Sequence, residues 1–122
     1  MIEPLHIKRT EDTPEVIFDS LGDNFAISGR SLPEDAYSFY KPLIEWMDKY
    51  LQSNPSLLTL KISLDYFNSS SGRYILELLA CLEDKKEVIR IVWLCEKEDE
   101  LMIEKGEEFK SLVDLTFEIR QF

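Results

Sequence analysis

Between Thr59 and Leu82 the hydrophobic period changes from two to about 3.6 across a short run of small polar residues, which reads as strand, joint and helix. Leu60, Ile62, Leu64 and Tyr66 alternate on one face of a strand ending at Phe67. Ile75, Leu78, Leu79 and Leu82 then recur at helical spacing. The joint holds Asn68, Ser69, Ser70, Ser71, Gly72 and Arg73. Two readings fit it. A serine hydroxyl can cap the helix by accepting from the free N–H groups of its first turn. The same hydroxyls can accept a phosphoryl group, which would place roughly −1.5 to −2 of charge at the positive end of a helix dipole. Spacing alone does not choose.

The rest of the chain repeats this alternation. Leu5-His6-Ile7 can pair at a sheet edge, inside an otherwise polar and irregular N-terminus. Glu15–Asp19 and Asn24–Ser28 form two strands around the turn residues Ser20 to Asp23. Ser31 with Glu34 fits a capping box for a first helix, and Ala36, Phe39, Tyr40, Leu43, Met47, Tyr50 and Leu51 give its apolar face. Pro42 lacks an N–H, so a kink or a break is expected there. Val88 to Cys95 is the most apolar strand and reads as buried on both faces. Lys97 to Phe109 forms an acidic helix with Leu101, Met102 and Phe109 inward, and a last strand covers about Leu115 to Arg120. The result is one α/β domain over residues 1–122, with a mixed sheet of about five strands. Strands joined by crossover helices run parallel, so the segments at Gly29 to Ser31, Asn68 to Gly72 and Glu96 to Asp99 should share one rim. Arg30 and Arg73 could then approach Ser69, with Glu96, Glu98 and Asp99 nearby.

Charge and composition narrow the function. Acidic residues outnumber basic ones 24 to 14, for a net charge of −10. That repels nucleic acid and anionic lipid, and favours a basic face on a protein partner. No segment reaches the roughly 20 apolar residues of a membrane span, and the opening residues have no apolar run of a signal peptide. Two cysteines, Cys81 and Cys95, are too few for a disulfide framework and read as buried thiols of a cytoplasmic protein. The single histidine, His6, lies in the poorly patterned N-terminus and nothing suggests a Ser–His or Cys–His pair built on it; no metal-ligand spacing and no phosphate-binding glycine loop occurs, so neither catalytic residue, metal nor cofactor is expected. The aromatic residues Tyr37, Phe39, Tyr40, Trp46 and Tyr50 exceed what one helix face can bury, which points to a partner surface.

Three separated stretches in fixed order carry a resemblance: TPEVIFD (Thr13 to Asp19), ISGRSLPEDAYSFYKPLIEW (Ile27 to Trp46) and YFNSSSGR (Tyr66 to Arg73). With the C-terminal VDLTFEI (Val113 to Ile119), they resemble the SiaC-type regulatory phosphoproteins, small bacterial proteins with a fold similar to anti-sigma-factor antagonists (STAS-like). The likeness runs from about Pro4 to Ile119. In that family the joint commonly reads Asn-Thr-Ser-Ser, and the threonine is the phosphorylated residue. Ser69 stands at that position here, keeping the hydroxyl without the methyl. Gly72 stands where the family often has a larger residue, so a looser loop is expected.

The resemblance implies a non-enzymatic regulator of bacterial signalling. A serine/threonine protein kinase would phosphorylate Ser69 and a PP2C-type phosphatase would reverse it. The unmodified form would bind and activate an effector such as a diguanylate cyclase, linking the chain to cyclic di-GMP and biofilm control. The expected partner-binding residues are Arg30, Asn68, Ser70, Ser71, Arg73 and Glu77. A rival class is a small ligand-binding or enzymatic α/β domain, with Ser69 and Arg30 holding an anionic substrate at the same rim. A constitutive scaffold, indifferent to Ser69→Ala and Ser69→Asp, is the third reading.

Overall fold

Six strands form one sheet whose spatial order is the chain order, with three helices between the later strands, in a computed structural model that describes residues 2–122. The strands are β1 (Leu5–Ile7), β2 (Glu15–Asp19), β3 (Asn24–Ser31), β4 (Leu58–Phe67), β5 (Ile89–Cys95) and β6 (Thr116–Gln121). The helices are α1 (Ala36–Leu51), α2 (Ser69–Leu82) and α3 (Glu100–Leu112), and a 3-10 segment, Glu83–Val88, follows α2. β1, β2 and β3 pair antiparallel, whereas β3 to β6 pair parallel. The strand added to the expected five is β1, the segment read as able to pair at a sheet edge.

The hairpin between β2 and β3 is built from the turn residues seen in the sequence. Asp19 Oδ1 accepts from the N–H groups of Leu21 and Gly22. Asp23 takes a positive φ of 52°, a conformation that aspartate tolerates better than most residues.

The order of strands decides where the helices go. Each crossover steps to the next strand in the same direction, and right-handed crossovers that all step one way leave every helix on one face. The buried side chains agree. Val16, Phe18, Phe25, Ile27, Leu58, Leu60, Ile62, Leu64, Ile89, Ile91, Trp93 and Phe117 lie at matching register positions and enter one core. On the helices, Tyr40, Leu43, Met47, Leu51, Ile75, Leu78, Leu79, Leu82, Met102 and Phe109 close it. Fully burying a side chain of this size stabilises by about 1.5–3 kcal/mol, so this single interface dominates the fold's stability.

This two-layer arrangement corrects the reading of β5 as buried on both faces. Arg90 is exposed and Leu94 half-buried on the helix-free face, where Val92 alone is fully covered. Leu101, expected inward on α3, is exposed, while Met102 and Phe109 are buried as expected. A single helix runs through Pro42. The bond that proline cannot make would go to the carbonyl of Ser38, an exposed residue, where water can replace the missing donor.

Tyr66 shows how a local irregularity defeats periodicity. Gly29 pairs with Leu64, but Arg30 pairs with Tyr66, so Asp65 is an extra residue in β4. Past this bulge the alternation changes phase. Tyr66 is exposed, and Phe67 instead turns in against Trp93 and Phe109, with ring centroids 6.1 and 5.9 Å away. Cys95 is buried, Cys81 is half-buried, and both are free thiols. Burial pushes the Cys81 thiol up to about 11, which keeps it protonated and unreactive near neutral pH.

Candidate functional site

The carboxyl ends of β3, β4 and β5 open on one rim, and each is followed by a helix whose first turn is capped by an acidic or amide side chain. Asp35 accepts from Ser38 N–H, Asn68 from Ser71 N–H at 2.9 Å, and Asp99 from Met102 N–H at 3.1 Å. The shared rim expected from connectivity is thus present. Ser31 does not cap α1: it ends β3, and the cap is Asp35, four residues on. The serines of the joint do not cap α2 either, because Asn68 takes that role.

The joint is also not a loose loop. α2 begins at Ser69, so all three serines and Gly72 belong to its first turn. Gly72 N–H donates to the Asn68 carbonyl at 2.9 Å. A Cβ on Gly72 would lie 3.1 Å from the Phe67 ring, so glycine here admits a close helix–strand contact rather than flexibility.

The three serines have different fates. Ser69 and Ser70 are exposed. Ser71 is fully buried, as is Ser31, and the Ser31 hydroxyl donates to Ser71 Oγ at 2.8 Å. The Tyr40 hydroxyl lies 2.6 Å from Ser31 Oγ. A hydroxyl has one proton, so with Ser31 donating to Ser71, Tyr40 donates to Ser31. The triad ties the end of β3 to α1 and to the first turn of α2. Burial pushes the Tyr40 phenol up to about 12, partly offset by its hydroxyl neighbours. Ser71, expected in the partner surface, is therefore an internal residue.

Ser69 opens onto a groove between α2 and α3 of about 310 Å³. Phe67, Gly72, Leu76, Phe109 and Leu112 form its apolar parts, and Arg73, Lys105 and Glu108 its charged parts. Lys105 was not legible as a site residue, because only the completed fold sets α3 across the groove from α2. Arg30, expected near Ser69, instead lies over the Tyr66 ring at 5.8 Å and does not line the groove. Glu96 and Asp99 face a different pocket with Ser63, Asp65, Leu94 and Phe122. The carboxylate that shares the groove with Ser69 is Glu108. Glu77 points elsewhere again, into a groove between α1 and α2 with Tyr37, Lys41, Ile44, Glu45 and Tyr74. Two cations flank its aromatic rings: Lys41 over Tyr37 at 5.4 Å and Arg73 over Tyr74 at 5.6 Å.

Among the described residues no group of three or more His, Cys, Asp or Glu side chains is placed to hold a metal ion, and no helix is long and apolar enough to cross a membrane. Fold and rim together define a two-layer α/β domain whose accessible hydroxyls stand at a helix start beside two partly exposed grooves. Residues 7–122 match the family described as SiaC family regulatory phosphoprotein, and the chain belongs to that family. SiaC of Pseudomonas aeruginosa is similar in structure, with a TM-score of 0.90 and 26% identity, covering 99% of this chain and 100% of that one. A second similar structure is that of the diguanylate cyclase SiaD in complex with its activator SiaC from Pseudomonas aeruginosa (TM-score 0.90, 27% identity, 97% and 99% covered). An uncharacterised protein of Pseudomonas aeruginosa strain UCBPP-PA14 is 29% identical, covering 95% of this chain and 94% of its own length. The likeness to anti-sigma-factor antagonists is a looser analogy than the likeness to SiaC.

Proposed function

We propose that this chain is a phosphorylation-switched activator of a signalling enzyme of the diguanylate cyclase class. The observation that carries it is a match over nearly the full chain to SiaC, the activator of the diguanylate cyclase SiaD in their complex from Pseudomonas aeruginosa. The chain regulates rather than catalyses. Its effector surface comprises the cap Asn68 and the first-turn residues Ser69 and Ser70 of α2, together with Arg30, Arg73 and Glu77. All of these except Asn68 are exposed, and Asn68 is half-buried.

Ser69 is the switch residue in this reading. A serine/threonine kinase transfers the γ-phosphoryl group of ATP to Ser69 Oγ and releases ADP. A PP2C-type phosphatase hydrolyses the ester, returning the hydroxyl and inorganic phosphate. The exposure of Ser69 supports it, and the burial of Ser71 weighs against the neighbouring alternative. In the unmodified chain the α2–α3 groove carries two cations and one carboxylate. A phosphoryl group of about −1.5 to −2 reverses that balance, so an effector matched to the unmodified surface is weakened.

The experiment has two arms. Intact-mass and peptide mapping of the protein from its own cells should place phosphate on Ser69. The cyclase that co-purifies with it should make cyclic di-GMP faster with the unmodified chain than with the Ser69-phosphorylated chain. A co-purifying effector with no cyclase activity would refute the cyclase assignment, and phosphate confined to another residue would refute the switch.

A further inference from the structure

We infer that the α2–α3 groove is an intramolecular seat for the phosphoryl group of Ser69, clasped by Arg73 on one wall and Lys105 on the other; this rests on Ser69 being the modified residue, as proposed above. Ser69 and Arg73 are four residues apart on one helix, so their side chains share a face. Both line the groove, and Lys105 reaches it from α3. Arg73 takes part in none of the ion pairs found among the described residues; its guanidinium rests over the Tyr74 ring at 5.6 Å. Among the described residues Lys105 pairs with Glu108 alone, at 3.8 Å, and both side chains are well exposed (43% and 60%). Exposed pairs of this kind hold weakly, so Lys105 can turn to a stronger anion.

Charge makes the assignment specific. The chain carries a net −10, yet this groove carries two cations and a single carboxylate, Glu108. A phosphate offers three acceptor oxygens, enough for a bidentate guanidinium and an ammonium together. Arg30 has no part in the clasp, because it lies over Tyr66 outside the groove. The phosphorylated chain thus holds its own phosphate, fills the groove and removes Arg73 and Lys105 from any partner.

The test needs no kinase. Phosphoserine is installed at position 69 of the full chain by genetic-code expansion, and its second ionisation is followed by phosphorus NMR. The expected value lies about half a unit or more below that of a free phosphopeptide of the same local sequence. Arg73→Gln and Lys105→Gln, which keep most of each side chain's packing stem, should each return part of the shift, and Glu108→Gln should enlarge it. A native value equal to the peptide's, or a shift unchanged in both glutamine variants, would overturn the clasp. Since the phosphate is placed synthetically, this outcome is separate from whether cells modify Ser69.

Discussion

The hydroxyls of Ser31 and Ser71 lie 2.8 Å apart across 40 residues of chain, both fully buried. Their bond joins the last residue of β3 to the first turn of α2, three residues above the cap Asn68. A serine two positions from the proposed phosphorylation site therefore serves the fold. The distinction predicts opposite stability effects for two positions in the same helical turn.

Ser71→Ala should cost about 1 kcal/mol, the net worth of one internal hydrogen bond. Ser71→Asp should cost roughly 3 kcal/mol or more, because it buries a charge with no cation beside it. Ser69→Asp should be neutral or stabilising by about 0.3–1 kcal/mol, since an exposed acid at a helix start favours the dipole. Urea unfolding of the three variants checks the order.

Tyr40 predicts a pH dependence at the alkaline end. Burial raises its phenol from the ordinary value near 10 to about 12. The fold holds the neutral form, so this contribution is complete below pH 10 and is lost as pH rises through 12. Its full size is of order 2–3 kcal/mol. Tyr40→Phe removes the proton linkage and, at neutral pH, about 1 kcal/mol of hydrogen bonding to Ser31. The stability gap between wild type and Tyr40→Phe should therefore narrow or reverse above pH 10, as followed by denaturant titration at stepped pH.

Gly106 predicts a packing penalty in α3. A Cβ there would lie 2.6 Å from Trp93 Cδ1, and Trp93 is pinned by its Nε1–H donating to the Met102 carbonyl at 3.0 Å. Gly106→Ala gains about 1 kcal/mol of helix propensity but must displace a buried indole, which costs about 1–3. Net destabilisation is expected, with a blue or red shift of tryptophan emission reporting the moved ring.

Glu77 tests the partner surface apart from the switch. It is exposed on α2 beside Tyr37 and Tyr74. Glu77→Ala should weaken effector binding more than twofold, about 0.4 kcal/mol, without moving the melting temperature. Unchanged affinity would place the interface away from this groove.

The alternation of strand and helix was legible because every element except β1 spans five or more residues, and it carried the parallel sheet and the shared rim with it. What failed was local chemistry settled by distant contacts. Ser31 and Glu34 have the spacing of a capping box, yet Tyr40 and Ser71 claim the Ser31 hydroxyl and Asp35 caps instead. The serines and Gly72 have low helix propensity, so the first turn of α2 read as a loop; Asn68 and the contact of Gly72 with Phe67 hold it helical. One extra residue, Asp65, reversed the faces of Tyr66 and Phe67. Lys105 carries no sequence signal at all, since its place in the groove with Ser69 exists only once the fold sets α3 across from α2.

Phosphate on Ser69 is expected to turn effector binding off. The direct measurement is the affinity of the effector for the unmodified chain and for the chain carrying phosphoserine at 69, at low and high salt. Phosphorylation should weaken binding at least about tenfold, 1.4 kcal/mol, with the difference shrinking as salt screens the groove. Tighter binding by the phosphorylated chain would contradict it.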